Sequence, residues 1–178
     1  IEKDDHLLSF KPVRESGSVM LNSQAVVQSS APQSVHQAEL YEGKKQTRPI
    51  ATEFLSSQVT YPNVFNHSDL EYELQNNALK ENIIVETRAD EYCFAFEISV
   101  SNLTLTLLED GSITANNADH ETVFVIPAPF MTDANGAFSR DVCYQLTSGE
   151  SGSYLLKVIA DEDWINQAGR AFPVEIDP

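Results

Sequence analysis

Four histidines, 27 carboxylates and two cysteines are the residues through which this 178-residue chain could do chemistry. A hydrolase built on a nucleophile, a base and an orienting acid needs a serine or cysteine held against a positioned imidazole. His6, His36, His67 and His120 are scattered, and no serine stands in a Gly-x-Ser-x-Gly setting. Zinc wants ligands at close paired spacing, and neither His-Glu-x-x-His nor Cys-x-x-Cys occurs. The seven glycines form no phosphate-cradling loop. Paired carboxylates suit glycoside hydrolysis, but among 27 acids such pairs arise by chance and single out no residues. The sequence therefore names no catalytic residue, no metal ligand and no cofactor.

Four further groupings carry weaker signals. Asp133-Ala134-Asn135-Gly136 opens like a calcium loop but lacks the alternating oxygen ligands and closing glutamate, so a tight turn accounts for it. Lys80 and Lys157 are the candidates for a lysine–carboxyl isopeptide bond of the kind found in some bacterial surface β-domains, and their surroundings read as solvent-facing strand. Trp164, Tyr61, Tyr72 and Tyr92 could form a sugar-stacking platform, although most alternate with polar residues as core positions do. Cys93 and Cys143 each lie on the polar side of a strand pattern. Neighbouring strands would let them form a disulfide, which an extracellular setting favours; separate strands leave two thiols.

Composition narrows the partners. A net charge of −16 makes nucleic acid and anionic membranes poor partners, because phosphate binding needs clustered cations. The acidity reads as a solubilising surface. At 42% hydrophobic the chain can bury a sizeable core, which fits a single domain over 1–178. No apolar run is long enough to span a bilayer, and Ile1-Glu2-Lys3-Asp4-Asp5 does not read as the start of a signal peptide.

The elements that must position these residues are strands. Tyr92, Phe94, Phe96 and Ile98 alternate with smaller or polar residues, as a half-buried strand requires. Leu103-Thr104-Leu105-Thr106-Leu107 repeats the pattern, and Asp110-Gly111 joins it to Ser112-Ile113-Thr114-Ala115 as a hairpin. Val142 to Thr147 and Tyr154 to Ile159 flank Ser148-Gly149-Glu150-Ser151-Gly152 as a second hairpin. Further strands are expected at 6–11, 18–28, 54–61, 70–74, 79–86 and 122–126, with a closing strand at 172–176 whose Pro173 suits an edge. One short helix is expected at 161–167, capped by Asp161, with Trp164 and Ile165 turned to the core. Residues 29–52 are polar and irregular and read as a long loop or insertion. The fold class is all-β: antiparallel sheets packed as a sandwich or a partly closed barrel.

Several stretches resemble one family. They include Val59-Thr60-Tyr61-Pro62-Asn63-Val64-Phe65, Asp69-Leu70-Glu71-Tyr72 and Val123-Phe124-Val125-Ile126-Pro127-Ala128-Pro129-Phe130-Met131. Leu79-Lys80-Glu81-Asn82-Ile83-Ile84-Val85, Glu109-Asp110-Gly111-Ser112-Ile113 and Asp133-Ala134-Asn135-Gly136 belong with them, as do Ala160-Asp161-Glu162-Asp163-Trp164-Ile165 and Arg170-Ala171-Phe172-Pro173-Val174-Glu175-Ile176-Asp177-Pro178. Together they resemble the β-rich block that precedes DNRLRE-type domains and RHS/YD repeats in large secreted, wall-associated proteins of Gram-positive bacteria. The resemblance implies export, a β-rich fold and a non-catalytic structural or spacer role within a giant surface protein. Its partners would be the flanking domains of the same polypeptide. The alternative is a module that binds carbohydrate or protein at the cell surface. The resemblance supplies no catalytic residues, and the cysteines are not part of its pattern. Arg170 is expected to pair with a nearby acid, while Asp161 and Trp164 fix the helical turn.

Overall fold

Side-chain alternation sets the architecture of this computed structural model, which describes residues 1–3, 5–14, 17–18, 26–30, 56–74 and 79–178. The first sheet holds β1 (Glu2–Lys3), β2 (His6–Arg14), β3 (Gly17–Ser18), β8 (Cys93–Ser101), β14 (Val142–Ser148) and β15 (Ser153–Ala160). Its order is β1-β2-β8-β15-β14, with β3 paired to β2. The second sheet holds β4 (Val26–Ser30), β5 (Ser56–Phe65), β6 (Ser68–Leu74), β7 (Leu79–Val85), β12 (Phe130–Asp133), β13 (Phe138–Ser139) and β16 (Val174–Asp177). Its order is β13-β12-β16-β7-β6-β5-β4. A third, small sheet runs β11 (Thr122–Ile126), β10 (Ile113–Asn116), β9 (Thr104–Leu107). Every pairing is antiparallel.

Register turns the apolar residues into continuous inner rows. In the second sheet Leu70, Ile83, Ile176 and Met131 stand side by side across four strands, each fully enclosed. In the first sheet Phe94, Val158 and Tyr144 form the matching row. Phe65 crosses between the layers and meets Phe94 and Phe96 edge-on at 5.2 and 5.5 Å. Burying each large side chain of this kind stabilises the fold by about 1.5–3 kcal/mol. Buried residues from all three sheets form one cluster. The result is an all-β sandwich of open sheets.

The expected strands and hairpins are present, with instructive differences at their ends. Residues 109–111 close β9 onto β10, where Gly111 takes φ +85°, and the Asp110 carboxylate accepts from the Ser112 backbone N–H at 2.9 Å. Helix α1 (Glu162–Ile165) is shorter than expected; Asp161 caps it by accepting from the Trp164 N–H at 2.7 Å. Its Ile165 is fully enclosed, whereas Trp164 is half-buried. The closing strand is not an edge. β16 lies between β12 and β7, and Pro173 precedes it rather than joining the ladder. β5 runs past 61 to Phe65 through a register shift that follows Tyr61, where Asn63 adopts φ +55° and its N–H donates to Asp69. Within the expected 29–52 loop, Ser29 and Ser30 belong to β4, and the remainder lies outside the described residues, as do 19–25 of the expected 18–28 strand.

Candidate functional site

The most elaborate polar arrangement joins β12 to the segment between α1 and β16. Asp133 ends β12 and its Oδ1 accepts from the N–H groups of Asn135 and Ala137, both at 2.9 Å. Gly136 takes φ +83° to complete this turn, which is the tight turn expected of Asp133-Ala134-Asn135-Gly136. The other oxygen, Oδ2, receives the Arg170 guanidinium at 3.1 Å. Arg170 also donates to the Trp164 carbonyl at 3.0 Å and to Gln167 Oε1 at 2.9 Å, and its guanidinium lies 3.4 Å from the centre of the Trp164 ring. The Ala137 N–H, then Arg170 and the Ala171 and Asn135 N–H groups, hold the Asp133 carboxyl below its ordinary range despite burial. This is the acid partner expected for Arg170.

A second group sits between the sheets. Leu79, Glu81, Ile83 and Val85 share the inner side of β7, so Glu81 is an acid in an otherwise apolar row. Tyr72 stands opposite it on β6 and donates its hydroxyl to Glu81 Oε1 at 3.2 Å. Burial raises the Glu81 carboxyl to about 8 from an ordinary 4.5, and the bond from Tyr72 opposes that rise. Burial, then the Glu81 charge, push the Tyr72 phenol upward. Tyr144 on β14 is raised by burial, then by Glu81 and Asp177, and its buried hydroxyl has no hydrogen-bond partner. The sequence reading missed Glu81; the signal was its place in the alternation.

Two shallow depressions stand out on the surface of the described residues. One, of about 660 Å³, lies over the outer side of β8, β15 and β14 and is lined by Cys93, Cys143, Arg140, Asp141, Lys157 and Ile159 among others. The other, of about 790 Å³, shares Cys93 and Lys157 and extends to His67, Arg88 and Asp90. Ile159 is the register partner of both Cys143 and Cys93, so β15 separates the two cysteine strands. Two strand spacings put the Cα atoms about 10 Å apart, beyond the roughly 4.4–6.8 Å that a disulfide spans. The register therefore disfavours the possible disulfide between Cys93 and Cys143 and favours the alternative of two separate thiols.

The remaining sequence candidates do not converge. His67 and His120 are exposed turn residues at φ +58° and +64°, His6 is half-buried in β2, and His36 lies outside the described residues. Lys80 forms ion pairs with Asp177 and Glu175 at 3.1 and 3.2 Å, with 31% of its side chain exposed. Partial burial works against its charge, but Asp177 and then Glu175 hold the ammonium above its ordinary range, so it stays protonated rather than nucleophilic. Tyr92 is buried, its hydroxyl donating to Asn166 and accepting from the Ala89 N–H, while Tyr61 and Tyr72 pack edge-on at 6.1 Å. Those tyrosines are core residues, and Trp164 lies against Arg170. No group of three or more His, Cys, Asp or Glu able to hold a metal ion occurs among the described residues. None of their helices is long and apolar enough to cross a membrane.

Comparison with known proteins gives these architectural residues a setting. The chain is 35% identical over 130 residues to the tRNA nuclease WapA of Bacillus subtilis strain 168, and to the tRNA3(Ser)-specific nuclease WapA of Bacillus spizizenii. It is also 32% identical over 79 residues to a wall-associated protein of Geobacillus stearothermophilus. The chain resembles a stretch of wall-associated proteins. The match covers 69% of this chain but only 6% of each WapA protein, and 44% of the chain against 30% of the Geobacillus protein. Neither a family model nor a solved structure matches.

Proposed function

We propose that this chain is a non-catalytic structural module, a rigid spacer within a large, exported, wall-associated protein of the RHS/YD-repeat kind. One observation carries the reading. Asp133 and Glu81, two carboxylates whose ionisation the fold alters, line neither of these depressions and are engaged by Arg170 and by Tyr72. Catalytic acids need altered ionisation together with access to substrate, and at these two positions the two are separated. The nuclease activity in the names of the Bacillus relatives resides, on this reading, outside the short stretch this chain matches. The relatives' wall association supports an extracellular setting, with the partners being neighbouring parts of the same polypeptide rather than nucleic acid. Incubating the 178-residue chain with tRNA and with a glycan array tests this. The expected result is intact tRNA and no saturable binding; cleavage, or reproducible saturable binding to one glycan class, overturns it.

A further inference from the structure

We propose that Glu81 is a proton-binding site built into the inner side of the second sheet, one that favours the folded chain in its neutral form and weakens it when it ionises. The geometry singles it out independently of the spacer reading. Glu81 occupies the inner row of β7 beside Ile83 and Val85, where the alternation otherwise places hydrocarbon. Among the described residues, its hydrogen bond comes from the Tyr72 hydroxyl. The Tyr72 ring reaches across to the other sheet, 5.9 Å from Phe10 on β2, and also touches Tyr61 on β5. From the far sheet, Tyr144 on β14 brings a buried hydroxyl that has no hydrogen-bond partner.

The groups that face this seam are all neutral or acidic. Among the described residues they are Tyr72 on β6, Tyr61 on β5 and Tyr144 on β14; Asp177 on β16, which pairs with Lys80, adds its negative charge near Tyr144. Lys80 is adjacent in sequence, but the pleat turns it to the other side of β7, where Asp177 and Glu175 hold it. An ionised Glu81 is therefore a half-buried charge that no cation among the described residues meets, and such a charge is costly unless water reaches it. The acid consequently remains protonated in the folded chain to about pH 8, while in the unfolded chain it ionises near 4.5. The folded state holds the extra proton between those values, so stability falls as pH rises through that window and levels off above it. Through Glu81 the fold is therefore more stable near pH 5 than near pH 8.

The test compares melting temperatures of the wild-type chain and Glu81→Gln across pH 5 to pH 9, with the Glu81 carboxyl followed by carbon NMR in the wild type. Gln mimics the neutral acid, so its melting temperature relative to wild type should climb with pH and level off above pH 8. The carboxyl should titrate with a midpoint near 8. Parallel melting curves, or a carboxyl midpoint below about 5.5, would overturn the proposal. Should Glu81→Gln fail to fold, the NMR midpoint decides alone.

Discussion

Arg170 and Asp133 meet at 3.1 Å with only 6% and 4% of their side chains exposed, 37 residues apart in sequence. That pair closes the β12 turn against the segment leading into β16, and the Trp164 ring lies over the same guanidinium. An Arg fork can serve the carboxylate, two other oxygens and an aromatic face together, which a Lys ammonium cannot.

Arg170→Ala should therefore lower the melting temperature by roughly 5–10 °C, as removing one partner from a buried pair strands the other. Arg170→Lys should recover less than half of that loss. Thermal denaturation followed by circular dichroism reads both; full recovery by lysine would mean that charge alone matters here.

The same carboxylate makes the chain acid-sensitive in a defined way. Asp133 is held below its ordinary 3.8 in the folded state, chiefly by the Ala137 N–H and then by Arg170. Its contribution is complete above about pH 4, where the unfolded chain ionises, and is lost as pH falls through the lower folded value. Asp133→Asn should flatten the acid limb of the stability curve below pH 4 while lowering stability at pH 7. Urea titrations at pH 3 and pH 7 give the comparison, and an equal loss at both would contradict the assignment.

Packing around the helix makes a sharper distinction between inside and outside than sequence hydrophobicity does. Ile165 is fully enclosed and Leu155 is 37% exposed on the outer side of β15. Ile165→Ala should cost about 2–5 kcal/mol, and Leu155→Ala at most about 1 kcal/mol, in urea unfolding.

Much of this was legible in the sequence, because period-two alternation and turn residues report local structure directly. The Phe94–Ile98 row, the Asp110-Gly111 hairpin and the Asp161 cap each depend on near neighbours. What depended on strand order was not legible. Pro173 suggested an edge strand, yet β16 is interior because its chain joins β7 on one side and β12 on the other. Cys93 and Cys143 shared a facing direction, but only the register shows Ile159 standing between them. Glu81 was visible as a break in an apolar row, yet its meaning required knowing that Tyr72 and Tyr144 approach it from two different sheets.

The cysteine geometry has its own check. Denatured without reductant, the chain should take up two alkyl groups from iodoacetamide, and its melting temperature should be the same with and without a reducing agent. Uptake of none would reveal the bond between Cys93 and Cys143 that the register disfavours.

Two glycines with similar backbone angles should respond differently to alanine. Gly136 at φ +83° has open space where a Cβ would stand, so only the left-handed conformation opposes the change, at about 1–2 kcal/mol. At Gly152, φ +77°, the Cβ would fall 2.8 Å from the Val100 carbonyl oxygen, part of the β8 backbone. Gly152→Ala should therefore be the more destabilising by about 1 kcal/mol or more in the same urea assay.

The proposed spacer role is tested most directly in the larger wall-associated protein it implies, by comparing surface with core. One variant replaces Glu91, Phe138, Arg140 and Asp141, all exposed, with serine; the other is Ile165→Asp, in the enclosed core. The amount of parent protein delivered to the cell wall is measured for each. A structural module predicts near wild-type delivery for the serine variant and a large loss for Ile165→Asp. A large loss for the serine variant at an unchanged melting temperature would contradict the account, because that surface would then be doing something other than enclosing a core.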